Sequence, residues 1–297
     1  MKKRYLVVTG GAGFVGSNLI KSLINFKKFH IISIDNYSSG KIANHINNVK
    51  IKYIKGETKD IKKILNKYKR SINAIFHFGE FSRIYQSFKK FDQCFQSNTL
   101  GSHEVFKFCL ENKIKLIYSA TSASIGNNGD NKNLSPYAFS KAKNLEIIEN
   151  LKKWFGFKYE VIYFYNVYGP NHIKEGFMST VIGIFENQYL KKLSLTVVKP
   201  GTQTRRFTHV NDTVKTCLEA WQKNKCRHYS ISNKKSYTVL DVAKMFNRKI
   251  KFIPSRKGER YASALTKMVL LNKVHQRYGK ISLETYIKQF IEKNKYN

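Results

Sequence analysis

Residues 9–16 read Thr9-Gly10-Gly11-Ala12-Gly13-Phe14-Val15-Gly16. They stand between a short apolar β-type run, Tyr5 to Thr9, and a stretch, Ser17 to Phe26, whose Leu19, Ile20, Leu23 and Ile24 recur at helical spacing. Strand, glycine loop and helix in that order predict a phosphate-binding turn. Gly10 permits the tight turn, Gly13 lets the backbone approach a pyrophosphate, and Gly16 lets the helix lie close to the strand. The helix N-terminus then offers free N–H groups and a positive dipole end to the phosphates. Asp35 follows 19 residues after Gly16, at the end of the next strand. A carboxylate there accepts hydrogen bonds from the adenosine ribose hydroxyls and repels a 2′-phosphate. The expected cofactor is NAD rather than NADP.

The alternation continues outward from this unit. Strands are expected at Ile31 to Ile34, Ala74 to Phe78, Leu116 to Ser119 and Glu160 to Tyr165, and helices at Ile61 to Tyr68, Leu100 to Glu111 and Tyr137 to Phe155. Such a pattern predicts an α/β protein: a Rossmann doubly wound parallel sheet with helices on both faces. Beyond about Asn166 the elements shorten, with a helix near Ser179 to Gln188, a strand at Leu195 to Val198, and helices at Asp212 to Gln222, Val239 to Phe246 and Leu283 to Glu292. The expected organisation is a dinucleotide-binding domain over 1–165 and a smaller mixed α/β substrate-binding lobe over 166–297, the chain crossing back near 205–225. No Pro/Gly-rich linker separates them, so they are expected to pack as one body.

Tyr137-Ala138-Phe139-Ser140-Lys141 sets a phenol and an ammonium four residues apart on one helix face, after the helix start Ser135-Pro136. The Lys141 charge is expected to lower the pKa of Tyr137 and make the phenol a usable acid/base. The preceding strand ends in Tyr118-Ser119-Ala120-Thr121-Ser122-Ala123-Ser124-Ile125-Gly126, which places hydroxyls at the carboxyl edge of the sheet, where such folds bind ligands.

Composition narrows the remaining classes. Of the 297 residues 54 are basic and 19 acidic, a net charge of +35. The lysines come as scattered pairs (Lys27-Lys28, Lys62-Lys63, Lys89-Lys90, Lys152-Lys153, Lys191-Lys192, Lys234-Lys235) rather than as one stripe with interleaved aromatics, so a nucleic-acid partner is not expected. No run approaches the roughly 18 apolar residues of a membrane span. Met1-Lys2-Lys3-Arg4 is followed by an apolar run too short for a signal peptide. Cys94, Cys109, Cys217 and Cys226 show neither CxxC spacing nor a His-paired zinc pattern, so no metal is expected and reduced thiols in a cytoplasm fit best.

The chain resembles the extended short-chain dehydrogenases/reductases, specifically the NAD-dependent sugar-nucleotide epimerase/dehydratase family typified by UDP-glucose 4-epimerase. Besides the glycine loop and YAFSK, the resemblance rests on DNYSSG (35–40), HFGE (77–80), NTLGS (98–102), FYNVYGP (164–170), PGTQTRRFTHVND (200–212) and RKGE (256–259). It implies a catalytic set of Thr121, Tyr137 and Lys141, with Tyr137 the base and Lys141 its modulator. Gly10, Gly13, Phe14, Val15, Gly16, Asp35, Asn36, Ser39, Gly40, Glu57, Thr58, Phe78, Gly79, Ser97, Asn98 and Tyr165 would join Tyr137 and Lys141 around NAD. Ser82, Arg83, Thr121, Asn166, Arg205, Arg256 and Ser263 would face the substrate, with Asn166, Arg205 and Arg256 on its diphosphate.

The resemblance also has departures. The family's 4,6-dehydratases carry an Asp-Glu pair directly after the catalytic Thr and its decarboxylases keep a Glu there, whereas this chain has Ser122-Ala123; Ile125 replaces the usual Tyr, and the segment from Gly126 to Tyr137 is short. The expected activity is 4-epimerisation of a UDP-hexose, UDP-glucose or UDP-N-acetylglucosamine, for surface polysaccharide precursors. Ser263 would leave room for an N-acetyl group. Rival readings are another sugar-nucleotide oxidoreductase or 4,6-dehydratase and, from a different class, a non-catalytic NAD- or polyanion-binding protein. Family members often form dimers through two long helices per subunit. Val105, Phe106, Phe108 and Leu110, with Leu145, Ile148 and Leu151, are the expected apolar contacts of a homodimer.

Overall fold

The structure, a computed structural model, describes residues 3–125, 133–223, 225, 227–257 and 274–295. In chain order its strands are β1 (Arg4–Thr9), β2 (Phe29–Asp35), β3 (Ile51–Lys55), β4 (Ile72–His77), β5 (Lys115–Thr121), β6 (Tyr159–Phe164), β7 (Val167–Tyr168), β8 (Leu195–Val198), β9 (Thr204–Arg206), β10 (Thr208–His209), β11 (His228–Ser232), β12 (Ser236–Thr238), β13 (Ile250–Ile253) and β14 (Val274–Tyr278). The helices are α1 (Phe14–Leu23), α2 (Ile61–Leu65), α3 (Ile84–Lys89), α4 (Phe91–Phe95), α5 (Ser102–Glu111), α6 (Pro136–Phe155), α7 (Val181–Leu190), α8 (Val210–Lys223), α9 (Val239–Lys244) and α10 (Leu283–Lys293).

Eight strands form one sheet in the order β3-β2-β1-β4-β5-β6-β11-β14. Every pairing in it is parallel. The order reverses between β1 and β4, and at such a reversal the loops leaving neighbouring strands part and open a crevice at their carboxyl ends. Successive side chains of a strand point to opposite faces, so Val7 joins a core with Val105, Phe106, Phe108 and Ile148, while Leu6 and Val8 join one with Leu19, Ile20, Leu23, Val214 and Cys217. Helices α5 and α6 thus cover one face, and α1 and α8 the other. A third core, including Phe185, Leu195, Val197, Val242, Phe246 and Leu283, holds the small elements of the second half together.

Two features differ from the sequence reading. Strands β3, β7 and β9 to β14 and helices α3 and α4 are additional, and two of these strands from beyond residue 166, β11 and β14, complete the large sheet. The apolar residues expected at a subunit contact instead cover the sheet: Val105, Phe106, Phe108 and Ile148 are buried in its core, and Leu110, Leu145 and Leu151 pack against them. Helical periodicity identifies an apolar face without saying which layer it meets. Outward apolar residues on and beside these helices include Phe91 and Phe95 on α4, Leu100, and Phe139, Ile147, Trp154 and Phe155 on α6.

Candidate active site

The crevice at the strand reversal is built by the ends of β1 and β4. The Thr9 hydroxyl oxygen accepts the N–H groups of Phe78 (3.1 Å) and Gly79 (3.0 Å), which staples the two strand ends together. Gly10 follows in a left-handed conformation, φ +69°, where a Cβ would lie 2.8 Å from the Phe78 carbonyl group. A Cβ on Gly16 would sit 2.1 Å from the Gly10 oxygen. The glycines are therefore required by close backbone approach. Gly13, at the N-cap of α1, provides no side chain to occupy the first-turn N–H groups. That leaves a positive, uncapped helix end facing the cleft.

Asp35 closes the far side of this cradle. Its carboxylate accepts the N–H of Ala12 (2.9 Å) and of Tyr37 (2.8 Å), and burial nonetheless raises its pKa above the ordinary carboxylate value. Gly40 packs on it, since a Cβ there would meet the carboxylate at 2.7 Å. Asn36 donates to Glu57 at 3.2 Å beside it. The cleft, about 550 Å³, is lined by Gly10, Gly13, Phe14, Val15, Gly16, Asp35, Asn36, Ser39, Glu57, Thr58, Phe78, Gly79 and Ser97. The uncapped helix end, the side-chain-free turn and the carboxylate fit a dinucleotide.

The same cleft continues past Thr121, Tyr137 and Lys141. Thr121 ends β5. Tyr137 and Lys141 lie one turn apart on α6, which starts at a capped end: Ser135 accepts the Ala138 N–H at 3.1 Å and Pro136 occupies the first turn. Pre-set proline and hydroxyl cap both favour the helix starting here. The Thr121 side chain is hydrogen-bonded to the phenol, which burial nevertheless pushes up to about 12. The expectation that Lys141 lowers this phenol needs correction. Lys141 is paired instead with the buried carboxylate of Glu80 and donates to the Ser119 carbonyl. Glu80 acts on Tyr137 in the raising direction, and the cation acting to lower it is Arg83.

The wall also carries Ser82, Arg83, Asn166, Arg205 and Arg256, the side chains expected to face a substrate. Arg83 is held by the carbonyls of Met178 and Ser82. Asn166 bridges to the Arg206 carbonyl at 2.9 Å, Arg205 lies on β9, and the Arg256 guanidinium is 5.5 Å from the Tyr85 ring centroid. Ser263 lies outside the described residues. Gly40, Asn98 and Tyr165 are not on the wall. Asn98, on a π-helical turn (Gln96–Gly101), accepts the Phe81 N–H at 2.7 Å and donates to its carbonyl at 2.9 Å, so it pins the segment that carries Glu80 to Arg83. Tyr165 is buried in the sheet core, where it receives the Ser230 hydroxyl at 3.3 Å. The residue that sequence reasoning left unassigned is Glu80: it appears in the HFGE stretch, but its partners lie up to 64 residues away.

A Rossmann sheet with an uncapped glycine turn at its reversal point, and a Thr, Tyr and Lys set further along the same cleft, defines the extended short-chain dehydrogenase/reductase class. Residues 6–232 match the NAD dependent epimerase/dehydratase family, and the chain belongs to it. NAD is its cofactor. Among relatives, the chain is 31% identical over 224 residues to an ADP-L-glycero-D-manno-heptose-6-epimerase from Brachyspira hyodysenteriae, covering 70% of this chain and 69% of that protein. It is 28% identical to a dTDP-D-glucose 4,6-dehydratase from Dictyostelium discoideum, over 80% of this chain but 60% of that protein's length. Among solved structures it resembles the UDP-glucose 4-epimerase of Thermotoga maritima with UDP-glucose, at a TM-score of 0.85 and 25% identity, covering 97% of each chain. Among the described residues no helix is long and apolar enough to cross a membrane.

Proposed function

We propose that the chain is a 4-epimerase of UDP-hexoses, acting on UDP-glucose and UDP-N-acetylglucosamine in the supply of surface polysaccharide precursors. The observation that carries this reading is that Thr121 and Tyr137 line one cleft together with the glycine cradle and the arginines. NAD, when bound, supplies a reversible acceptor for the hydride of a sugar carbon. Tyr137 takes the proton of the 4-hydroxyl and later returns it, and Thr121, bonded to the phenol, orients that hydroxyl. Arg205 and Arg256 hold the diphosphate through their planar donor forks, with Asn166 beside them. Ser122 and Ala123, both buried, stand where elimination of water would need an acid and a base. Their lack of a titratable group favours epimerisation over dehydration.

The outward residues on α4 and α6 support a homodimer. Phe139, Ile147 and Trp154 are spaced eight and seven residues apart on α6, which puts them on one helix face, and all are exposed. The catalytic reading is tested by incubating purified protein with UDP-, GDP-, CDP- and dTDP-sugars and following the products by NMR. Interconversion of UDP-glucose with its 4-epimer is expected; loss of water from a dTDP- or GDP-sugar would replace this reading with the dehydratase one.

A further inference from the structure

Lys141 does not present a lone ammonium to the cleft. Glu80 lies just beyond β4, its side chain 2% exposed, and one of its oxygens is paired with Lys141. Its other oxygen accepts the hydroxyls of Ser102 (2.8 Å) and Tyr118 (3.0 Å) and the carboxamide of Asn144 (3.2 Å). The Tyr118 ring lies 4.5 Å from the same ammonium.

The direction of these bonds follows from counting protons. Thr9 already accepts two backbone N–H groups, so its single proton goes to Nδ1 of His77, 2.7 Å away. Burial pushes His77 down to about 4, which leaves a neutral ring. Its proton must then sit on Nε2 and be given to Ser102 at 3.0 Å. Ser102 passes its own proton to Glu80. The chain that starts at the glycine loop therefore ends on a group that only accepts. A protonated carboxyl would set one more donor against donors, and a buried carboxylate without a cation is costly. Lys141 supplies that cation.

We propose that Glu80 is a positioning residue: its carboxylate anchors the Lys141 ammonium in the cleft and, through that pairing, sets the charge that the Tyr137 phenol experiences. This rests on the reading of Tyr137 as the proton-transfer group. The charged and titratable groups that face this cluster are His77 from β4, Arg83 ahead of α3, Cys94 from α4, Tyr118 from β5, and Tyr137 and Lys141 from α6. With Glu80 neutralised, one group that raises the phenol is removed while Arg83 still acts to lower it, and its proton leaves more readily.

The test compares Glu80→Gln, Glu80→Asp, Lys141→Met and the Glu80→Gln/Lys141→Met double variant with wild type. In the NAD-loaded enzyme, Glu80→Gln is expected to move the rising limb of the kcat/KM pH profile about one unit toward acid and to lower kcat about tenfold with KM within about twofold. Glu80→Asp keeps the limb in place. In urea unfolding, each single variant is expected to lower the midpoint and the double variant to recover most of the loss, because it removes both buried charges together. If Glu80→Gln does not accumulate as folded protein, the double variant should. A Glu80→Gln limb that coincides with wild type, or a double variant that loses the sum of the singles or fails to fold, overturns the proposal. Full turnover by Tyr137→Phe would overturn the functional reading instead, and leaves the unfolding comparison unchanged.

Discussion

At the scale of single residues, the phenol of Tyr137 and the carboxylate of Asp35 have the most directly measurable roles. Tyr137→Phe removes the proton-transfer group and leaves the glycine cradle intact, so turnover should fall by a factor of about 10² or more while the purified protein still carries NAD; near-normal rates would remove Tyr137 from the mechanism. Asp35 closes the cradle, so calorimetry should find NAD bound more tightly than NADP. Asp35→Asn should cut that preference about tenfold, because the repulsion of a 2′-phosphate disappears with the charge.

His77 gives a pH-dependent signature. Its native value of about 4 lies below its ordinary 6.5. The unfolded chain therefore takes up the proton first, and the stability linked to this neutral ring is complete above about pH 6.5 and lost as the pH falls toward 4. The loss approaches about 3 kcal/mol. Urea titrations from pH 7 to 4 should show His77→Gln with a shallower decline than wild type; parallel declines would mean the ring is not the linked group. Local motifs made Thr121, Tyr137 and Asp35 legible, because strand ends and a one-turn helical spacing place them from nearby sequence. Glu80 was left unassigned by sequence, and Asn98 and Tyr165, expected around NAD, are not on the cleft wall. Their settings depend on partners between 17 and 65 residues away, a scale at which short motifs carry no information.

At the scale of elements, the long helix α6 carries Tyr137 and Lys141 and begins at a single hydroxyl cap. Ser135→Ala leaves the Ala138 N–H without its partner and should cost about 1 kcal/mol in chemical denaturation. An unchanged midpoint would show that Pro136 alone determines the helix start. Elements with clean periodicity were legible from sequence, as β8 and the body of α6 show. Strand β11 was not, although it is buried throughout. Its His228 and Ser230 interrupt any apolar run, yet His228 meets the Tyr163 hydroxyl at 3.1 Å and Ser230 donates to Tyr165, so tertiary hydrogen bonds allow these polar residues inside the sheet. Strand β3, Ile51-Lys52-Tyr53-Ile54-Lys55, lies at an open edge, where its two lysines are exposed and its apolar residues are only half-buried.

At the scale of the whole molecule, the account requires that one body bind a nucleotide sugar against NAD and that its α4/α6 face be covered by a second copy. Light scattering at micromolar concentration should give a dimer, and Phe139→Asp combined with Trp154→Asp should give a folded monomer; a wild-type monomer would show that these aromatics have another role. The most direct test of the central claim is proton NMR of wild-type protein with UDP-glucose in D2O, with absorbance at 340 nm followed in parallel. The account predicts conversion to the 4-epimer with hydrogen, not deuterium, retained at C4 and no build-up of reduced cofactor. A keto product, net accumulation of NADH, or deuterium at C4 of the product would contradict it.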